Sequence, residues 1–218
     1  MLVIGLFATL SANVFTHSAA FLIPTLQSER GLDLARAGLV SAMPAFGMVL
    51  TLIAWGYAVD RLGERLVLTV GSALAAAAAL GAALSQSLVG LSALLFLGGM
   101  AAASSNSASG RLVVGWFEPQ QRGLAMGIRQ MAQPLGVGLG ALVIPRLAET
   151  AGIGAALVFP AAVCAVAAAV CALGVRDPTR PPREEATAAQ LANPYRTSPT
   201  LARIHLVSVL LVIPQSVV

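Results

Sequence analysis

The sequence has no lysine and few charged residues of either sign: charged residues make up 10% of the 218 residues, and all 13 basic residues are arginine. A soluble domain has about 25% charged residues. Hydrophobic residues make up 57% of this chain, and no charge occurs between residues 66 and 110. About 20 apolar residues suffice for a helix to cross the hydrocarbon core of a bilayer. The composition therefore excludes an ordinary soluble domain and predicts an all-α membrane protein embedded in a lipid bilayer.

Other absences exclude several classes of function. Without lysine, the chain has no phosphate-binding P-loop lysine, which excludes ATP-driven transport by this chain. The two cysteines, Cys164 and Cys171, lie seven residues apart in an apolar run, which is neither a metal-ligand spacing nor a disulfide framework. The sequence has no stripe of basic residues with interleaved aromatics, which is the pattern that indicates a nucleic-acid partner. We therefore expect no metal, no cofactor, no nucleic acid and no enzymatic activity.

The apolar runs predict a bundle of six transmembrane helices within residues 1–175. Their approximate bounds are residues 2–26, 38–59, 66–84, 88–110, 123–144 and 152–175. Residues 176–202 are rich in proline and in charges of both signs, which predicts an exposed linker. Residues 203–218 begin another apolar run, but the roughly 15 residues of this run give only about 22 Å of helix. We interpret this run as the truncated start of a seventh helix.

Arginines are distributed unequally between the two sides of these six spans. One side has nine and the other has three, namely Arg30, Arg36 and Arg146. Cytoplasmic loops of membrane proteins carry an excess of basic residues. The distribution predicts a multi-pass protein of the plasma membrane with its N-terminus and its 176–202 linker in the cytoplasm.

The stretch GYAVDRLGER, residues 56–65, concentrates charge between two apolar runs. The simplest interpretation is a short polar turn whose arginines set the orientation. The spacing of its residues also suggests a specific structure. Gly56 lies four residues before Asp60 and would let two helices approach closely, whereas Gly63 would permit a sharp turn into the next helix.

The pattern G-x-x-x-D-R-x-G-x-R, at Gly56, Asp60, Arg61, Gly63 and Arg65, resembles the signature loop between helices 2 and 3 of the major facilitator superfamily. A second stretch, GRLVVGWFEPQQRGLAMGIRQ, resembles the turn between helices 4 and 5 of the same transporters. The resemblance implies an N-terminal six-helix bundle of two inverted three-helix repeats. It also implies that a missing C-terminal half of the same protein is its partner.

In that family, the loop between helices 2 and 3 holds the two halves together at the cytoplasmic face. The resemblance therefore implies that Asp60 is a latch residue. Arg61, Arg65 and Arg111 would complete its charge network.

Arg129 is the clearest charge inside a predicted span, and Gln133 lies one helical turn further on. A charge within a span usually faces a protein interior or a water-filled cavity. Two interpretations remain open. The arginine extends back to the cytoplasmic interface, or its planar guanidinium recognises a carboxylate or similar oxyanion in a central cavity.

Further polar residues occur in predicted helices 1 and 4. Asn13 and His17 share one face of helix 1, and Asn106 lies within the polar stretch SSNSASG of helix 4. Each has a purely structural alternative as a hydrogen-bonding residue between or within helices. The family resemblance implies that helices 1 and 4 line a central cavity, which favours all three as solute contacts.

Together these features predict the N-terminal part of a secondary active transporter that moves a small solute by alternating access. If Arg129 contacts this solute, we expect the solute to be anionic. The alternative is a non-transporting membrane scaffold or receptor-like protein that keeps the same half-fold. A transporter should be stabilised by its solute, whereas a scaffold should not.

Overall fold

The computed structural model describes residues 1–178 together with Arg203, Ile204, Leu206, Val207 and Leu210, which are helical. The predicted linker beyond residue 178 and most of the predicted seventh helix lie outside the described residues. Residues 1–178 contain seven helices and no strand: α1 (Leu2–Phe21), α2 (Ile23–Arg30), α3 (Leu34–Leu62), α4 (Glu64–Leu84), α5 (Leu88–Trp116), α6 (Arg122–Gln130) and α7 (Ala132–Gly174). The prediction of an all-α membrane bundle is confirmed.

Six membrane-crossing segments arise from these seven helices. α1 and α2 are joined through Leu22, whose backbone is itself near-helical, and α6 joins α7 in the same way through Met131. α7 is divided at Gly152, where φ is 82° and ψ is 174°. The apolar segment Arg122–Gly174 has 53 residues, about 80 Å of helix, which is more than twice the roughly 30 Å of a hydrocarbon core. The chain reverses at Gly152 and forms two spans.

Several helices extend beyond their predicted bounds because end-capping residues, and not hydropathy, determine where a helix stops. α3 begins at Leu34, where the Asp33 carboxylate accepts a hydrogen bond of 2.7 Å from the backbone N–H of Arg36. α5 continues to Trp116 although its apolar run ends earlier. The helix predicted to end at residue 144 continues through Pro145 to the positive φ of Gly152. A proline removes one backbone hydrogen bond, whereas a positive φ interrupts the helical path.

Small residues allow the helices to approach closely. A Cβ added to Gly47 of α3 would lie 2.9 Å from the Met100 nitrogen of α5 and would collide with the carbonyl oxygen of Phe96. The core around Phe15 and Leu95 otherwise contains many alanines. Large apolar side chains such as Ile53 are instead exposed on the outside of the bundle. This distribution fits a bilayer, where close packing of small residues drives helix association.

Candidate functional site

A cavity of about 250 Å³ lies between α1, α3, α5 and the α6–α7 junction. Its walls are polar except for one methionine, in contrast to the alanine-rich packing elsewhere. The lining residues are Thr9, Asn13, Thr16, His17, Met48, Asn106, Arg129, Gln130 and Gln133. The five residues selected from the sequence as candidate solute contacts, Asn13, His17, Asn106, Arg129 and Gln133, all line this one cavity.

α1 contributes residues that follow one helical face. The Asn13 amide donates a 2.8 Å hydrogen bond to the carbonyl oxygen of Thr9, and Nδ1 of His17 lies 2.9 Å from the carbonyl oxygen of Asn13. A carbonyl oxygen can only accept, so Nδ1 of His17 carries the hydrogen. The Nε2 atom of His17 has no hydrogen-bond partner within the described part of the chain. One face of α1 thus presents an amide oxygen and an imidazole nitrogen to the cavity.

Arg129 is held inside the bundle by α5. Its Nε donates a 2.8 Å hydrogen bond to the Ser109 hydroxyl, and one terminal nitrogen lies 3.4 Å from the carbonyl oxygen of Asn106. The other terminal nitrogen donates to the Gln130 side-chain oxygen at 2.8 Å. Ser109 is fully buried. The guanidinium is therefore directed towards the interior face of α5.

The helix that carries Arg129 has a local irregularity at Met131, beside the cavity, although the backbone there stays near-helical. α6 ends at Gln130, and the Met131 N–H bonds to the carbonyl oxygen of Ile128 at 3.1 Å, the tight pattern of a helix terminus. Pro134 has no N–H, so the Gln130 carbonyl cannot receive the usual α-helical bond from it. Gln130 and Gln133 lie on either side of this tight turn, and both line the cavity.

Five residues of this region are not among the candidates selected from the sequence: Thr9, Thr16, Met48, Gln130 and Ser109. Thr9 lies one helical turn before Asn13, and the spacing could have identified it. Met48 and Ser109 could not be identified in this way. Met48 lines the cavity because α3 packs against α5, where its sulfur accepts a 3.4 Å contact from the Asn106 amide. Ser109 matters because the Arg129 side chain reaches it.

A second group of charged residues lies where α3 ends and α4 begins. Asp60 forms an ion pair with Arg111, which joins the end of α3 to α5. The Arg61 guanidinium lies over the Tyr57 ring, 4.6 Å from its centroid. Within residues 1–178, neither Arg61 nor Arg65 forms an ion pair with Asp60. Of the expected charge network, the described residues contain the Asp60–Arg111 pair, and a latch role for Arg61 and Arg65 stays a prediction.

Arg65 connects the start of α4 to the end of α7. Its backbone N–H donates a 2.8 Å hydrogen bond to the Asp177 carboxylate, and its Nε donates to the Ala172 carbonyl oxygen at 3.0 Å. Gly63 has φ 82° and ψ 167°, a conformation that only glycine adopts readily. No described atom lies within 4 Å of a Cβ built on Gly56. Gly56 therefore makes no close contact with another helix among the described residues, and its role in helix approach stays a prediction.

A bundle of six membrane spans with a polar cavity between them is typical of a membrane transporter domain. The sequence matches the profile of the Major Facilitator Superfamily over residues 1–216. The chain belongs to this family of transporters, and it is a multi-pass membrane protein.

Curated relatives include two proteins of Mycobacterium tuberculosis, both described as uncharacterized MFS-type transporters. Each is 55% identical to this chain over 217 residues, and the alignment covers 100% of this chain and 48% of the relative. The chain thus spans about half the length of the curated relatives it matches.

Solved transporters share the fold at low sequence identity. A bacterial homologue of the human lysosomal transporter Spinster, in an inward-facing conformation, matches with a TM-score of 0.73 at 16% identity, covering 89% of this chain and 47% of that chain. The peptide transporter POT in complex with sulfate matches with a TM-score of 0.63 at 17% identity, covering 96% and 46%. The xylose transporter XylE from E. coli gives a TM-score of 0.63 at 17% identity, covering 80% and 48%.

Proposed function

We propose that this chain is the N-terminal half of a secondary active transporter, and that it moves a small solute across the plasma membrane by alternating access. The cavity of about 250 Å³ carries this proposal. A membrane bundle has no structural need to collect eight polar side chains in one place, since polar groups inside a bilayer are costly. A solute that must shed its hydration shell would find replacement hydrogen bonds there.

A second half of the protein would complete this cavity. Relatives of about twice the length support this part of the proposal, as do solved transporters in which the matched region is about half of the chain. Gln133 and Asn106 line the cavity yet are exposed in the described residues. We propose that the facing half covers them and that the solute binds between the two halves.

The orientation follows from charge. Arg61, Arg65 and Arg111 lie at the end of the bundle where α3 meets α4, and by the positive-inside rule we assign this end to the cytoplasm. This assignment also places the N-terminus and the linker after α7 in the cytoplasm. In this orientation, the Asp60–Arg111 pair would lie at the cytoplasmic mouth of the cavity. It would be positioned to act as a latch during the conformational change.

Alternating access can be tested without knowing the solute. We would place a single reporter thiol in the cavity by Gln133→Cys in the protein at its native length, and label it with a membrane-impermeant maleimide. Cys164 and Cys171 are 1% and 0% exposed, so their background labelling should be low. A transporter should expose the reporter thiol in both right-side-out and inside-out vesicles. A matched control is Ala132→Cys on the neighbouring residue, which is 0% exposed and should remain unlabelled in both.

Labelling of the Gln133→Cys variant from one side only would contradict alternating access and support the non-transporting scaffold. Labelling of the Ala132→Cys control would indicate that the bundle has opened in an unspecific way. The unsubstituted protein supplies the background, including thiols outside the present sequence. The same vesicles report the orientation, because a maleimide applied to right-side-out vesicles should not label an Arg61→Cys thiol.

A further inference from the structure

Arg129 has a positive charge but no acidic partner among the residues that the structure describes. The two ion pairs found there join Arg36 to Asp33 and Arg111 to Asp60. All three groups that bind Arg129 are neutral: a hydroxyl, an amide oxygen and a backbone carbonyl oxygen. Charges within membrane spans are normally paired or lie along a substrate path. The side chain therefore has an electrostatic complement still to be supplied.

The hydrogen-bond geometry leaves room for that complement. A guanidinium has five N–H donors. One from Nε goes to Ser109, one to Gln130 and one to Asn106. One N–H on each terminal nitrogen has no acceptor within the described part of the chain. Two such donors in one plane match the two oxygens of a carboxylate.

The position of the guanidinium favours a solute over a lipid headgroup. Its partners Asn106 and Ser109 precede the end of α5 at Trp116 by ten and seven residues, about 15 Å and 10 Å of helix. A side chain that extended to the interface would contact residues nearer that end. Arg129 instead binds a fully buried hydroxyl and lines the polar cavity.

We propose that the cavity is specific for small solutes carrying one oxyanion, a carboxylate in the first instance, and that Arg129 binds this group directly. The inference rests on the proposed transport function. Arg129 is the one charged residue that lines the cavity in the described residues, so these walls supply a match for one anionic group. The remainder of the solute faces neutral donors and acceptors, among them the Asn13 amide oxygen and Nε2 of His17. Gln130 acts as a neutral partner that the anion can displace.

The test compares carboxylates with their neutral amides. Thermal unfolding of the native-length protein would be measured with acetate, lactate and pyruvate, and with acetamide, lactamide and pyruvamide, at equal ionic strength. Inorganic phosphate tests another oxyanion. A ligand at ten times its Kd favours the folded state about 11-fold. We expect stabilisation by at least one carboxylate and not by its amide.

Variants assign the effect to Arg129. Loss of a charged hydrogen-bonding partner should weaken binding about tenfold to a hundredfold. At the same ligand concentration, Arg129→Gln should therefore reduce the roughly 11-fold stabilisation to about 2-fold or less, while Arg129→Lys should retain more of it. The matched control Arg36→Gln removes an exposed arginine that pairs with Asp33 outside the cavity, and it should respond like the wild type. Protection of the Gln133→Cys thiol by the bound carboxylate is a second readout. It does not require an Arg129 variant that folds. The same carboxylate should slow its labelling, and the amide should not.

Three results would overturn the inference. The first is a neutral amide that stabilises the protein as well as its acid does, or a carboxylate response that is undiminished in Arg129→Gln. The second is the absence of stabilisation and of thiol protection by every carboxylate and by phosphate. The third is stabilisation in nanodiscs only when phosphatidylglycerol is added to phosphatidylcholine, together with loss of that stabilisation in Arg129→Gln. This result would identify a lipid phosphate as the bound oxyanion. In each case, two-sided labelling of Gln133→Cys would still support alternating access, and only one-sided labelling would contradict the transport function itself.

Discussion

The ion pair between Asp60 and Arg111 predicts a measurable energetic coupling between the ends of α3 and α5. The perturbation is a double-mutant cycle of Asp60→Asn, Arg111→Gln and the two combined, in the native-length protein. Each substitution removes a charge and keeps a side chain of similar size. Once one member of the pair is absent, removal of the other should cost little more, so the double variant should be nearly as stable as the less stable single variant.

The exposure of the two side chains determines the size of the coupling. Asp60 is 53% exposed and Arg111 is 39% exposed, so solvent and salt screen their attraction. Exposed pairs contribute about 0.2–1 kcal/mol in such cycles. About half of each side chain is covered, and we expect the upper half of that range, about 0.5–1 kcal/mol. This corresponds to a factor of at most about five in the unfolding equilibrium.

The assay is equilibrium unfolding in mixed micelles, followed by tryptophan fluorescence at low and high ionic strength. Raising the salt concentration from 0.1 to 1 M shortens the Debye length from about 10 to about 3 Å, so the coupling should decrease. The matched control is the cycle of Asp60→Asn with Arg61→Gln. Arg61 is adjacent in sequence but lies over the Tyr57 ring, and these two substitutions should be additive within about 0.3 kcal/mol.

Two results would refute this reasoning. A coupling larger for Asp60 with Arg61 than for Asp60 with Arg111 would mean that the structural pairing is not the one present in solution. A coupling above about 2 kcal/mol would mean that the pair is buried in the native protein, beyond the range of exposed pairs. The cycle also sets a limit for function. If Asp60→Asn reduces transport by much more than fivefold, the lost stability of the pair cannot account for the reduction, and Asp60 must act in the conformational change. Unchanged transport in Asp60→Asn would contradict the latch proposal.

Two further predictions concern glycines. Gly63→Ala should destabilise the protein by about 1–3 kcal/mol, since its backbone conformation is essentially restricted to glycine and the new Cβ would lie 2.7 Å from the Asp177 carboxylate; thermal unfolding with no loss of stability would contradict this. Gly47→Ala should lower the free energy of unfolding by about 1–3 kcal/mol, because the new methyl group would overpack against Met100. On the same helix, a Cβ at Gly38 meets no described atom of another helix within 4 Å. Gly38→Ala should therefore raise the free energy of unfolding by up to about 1 kcal/mol through helix propensity. Equal effects of the last two substitutions, measured by size-exclusion profile and melting temperature, would contradict the packing between α3 and α5.

Composition alone was sufficient to predict a helical membrane protein, and polarity together with the family resemblance was sufficient to select the solute candidates. A helix satisfies the backbone hydrogen bonds of a long uncharged run within the run itself, as lipid requires. Asn13, His17, Asn106, Arg129 and Gln133 could be selected one by one because each is a costly residue within an apolar run. Their common location could not be derived from helix spacing, which relates residues of one helix and says nothing about which faces of different helices meet.

The charged turn shows where prediction from sequence ended. The residues of GYAVDRLGER were sufficient to recognise the motif and to predict a sharp turn at Gly63. They did not determine the partners of its charges, because arginine side chains are long and several acceptors lie within their reach. The structure pairs Asp60 with a residue 51 positions away, Arg111, and places Arg61 on an aromatic ring.

The sequence by itself determined that this chain crosses a membrane as a helical bundle, because the cost of burying polar backbone and charge in lipid acts on each segment separately. The transporter family was indicated by the resemblance of its two charged loops. Only the tertiary structure decided that the scattered polar residues of α1, α5, α6 and α7 enclose one cavity, and that Arg129 turns into it. Those outcomes depend on how small residues allow particular helix faces to meet, a property of pairs of segments far apart in the chain.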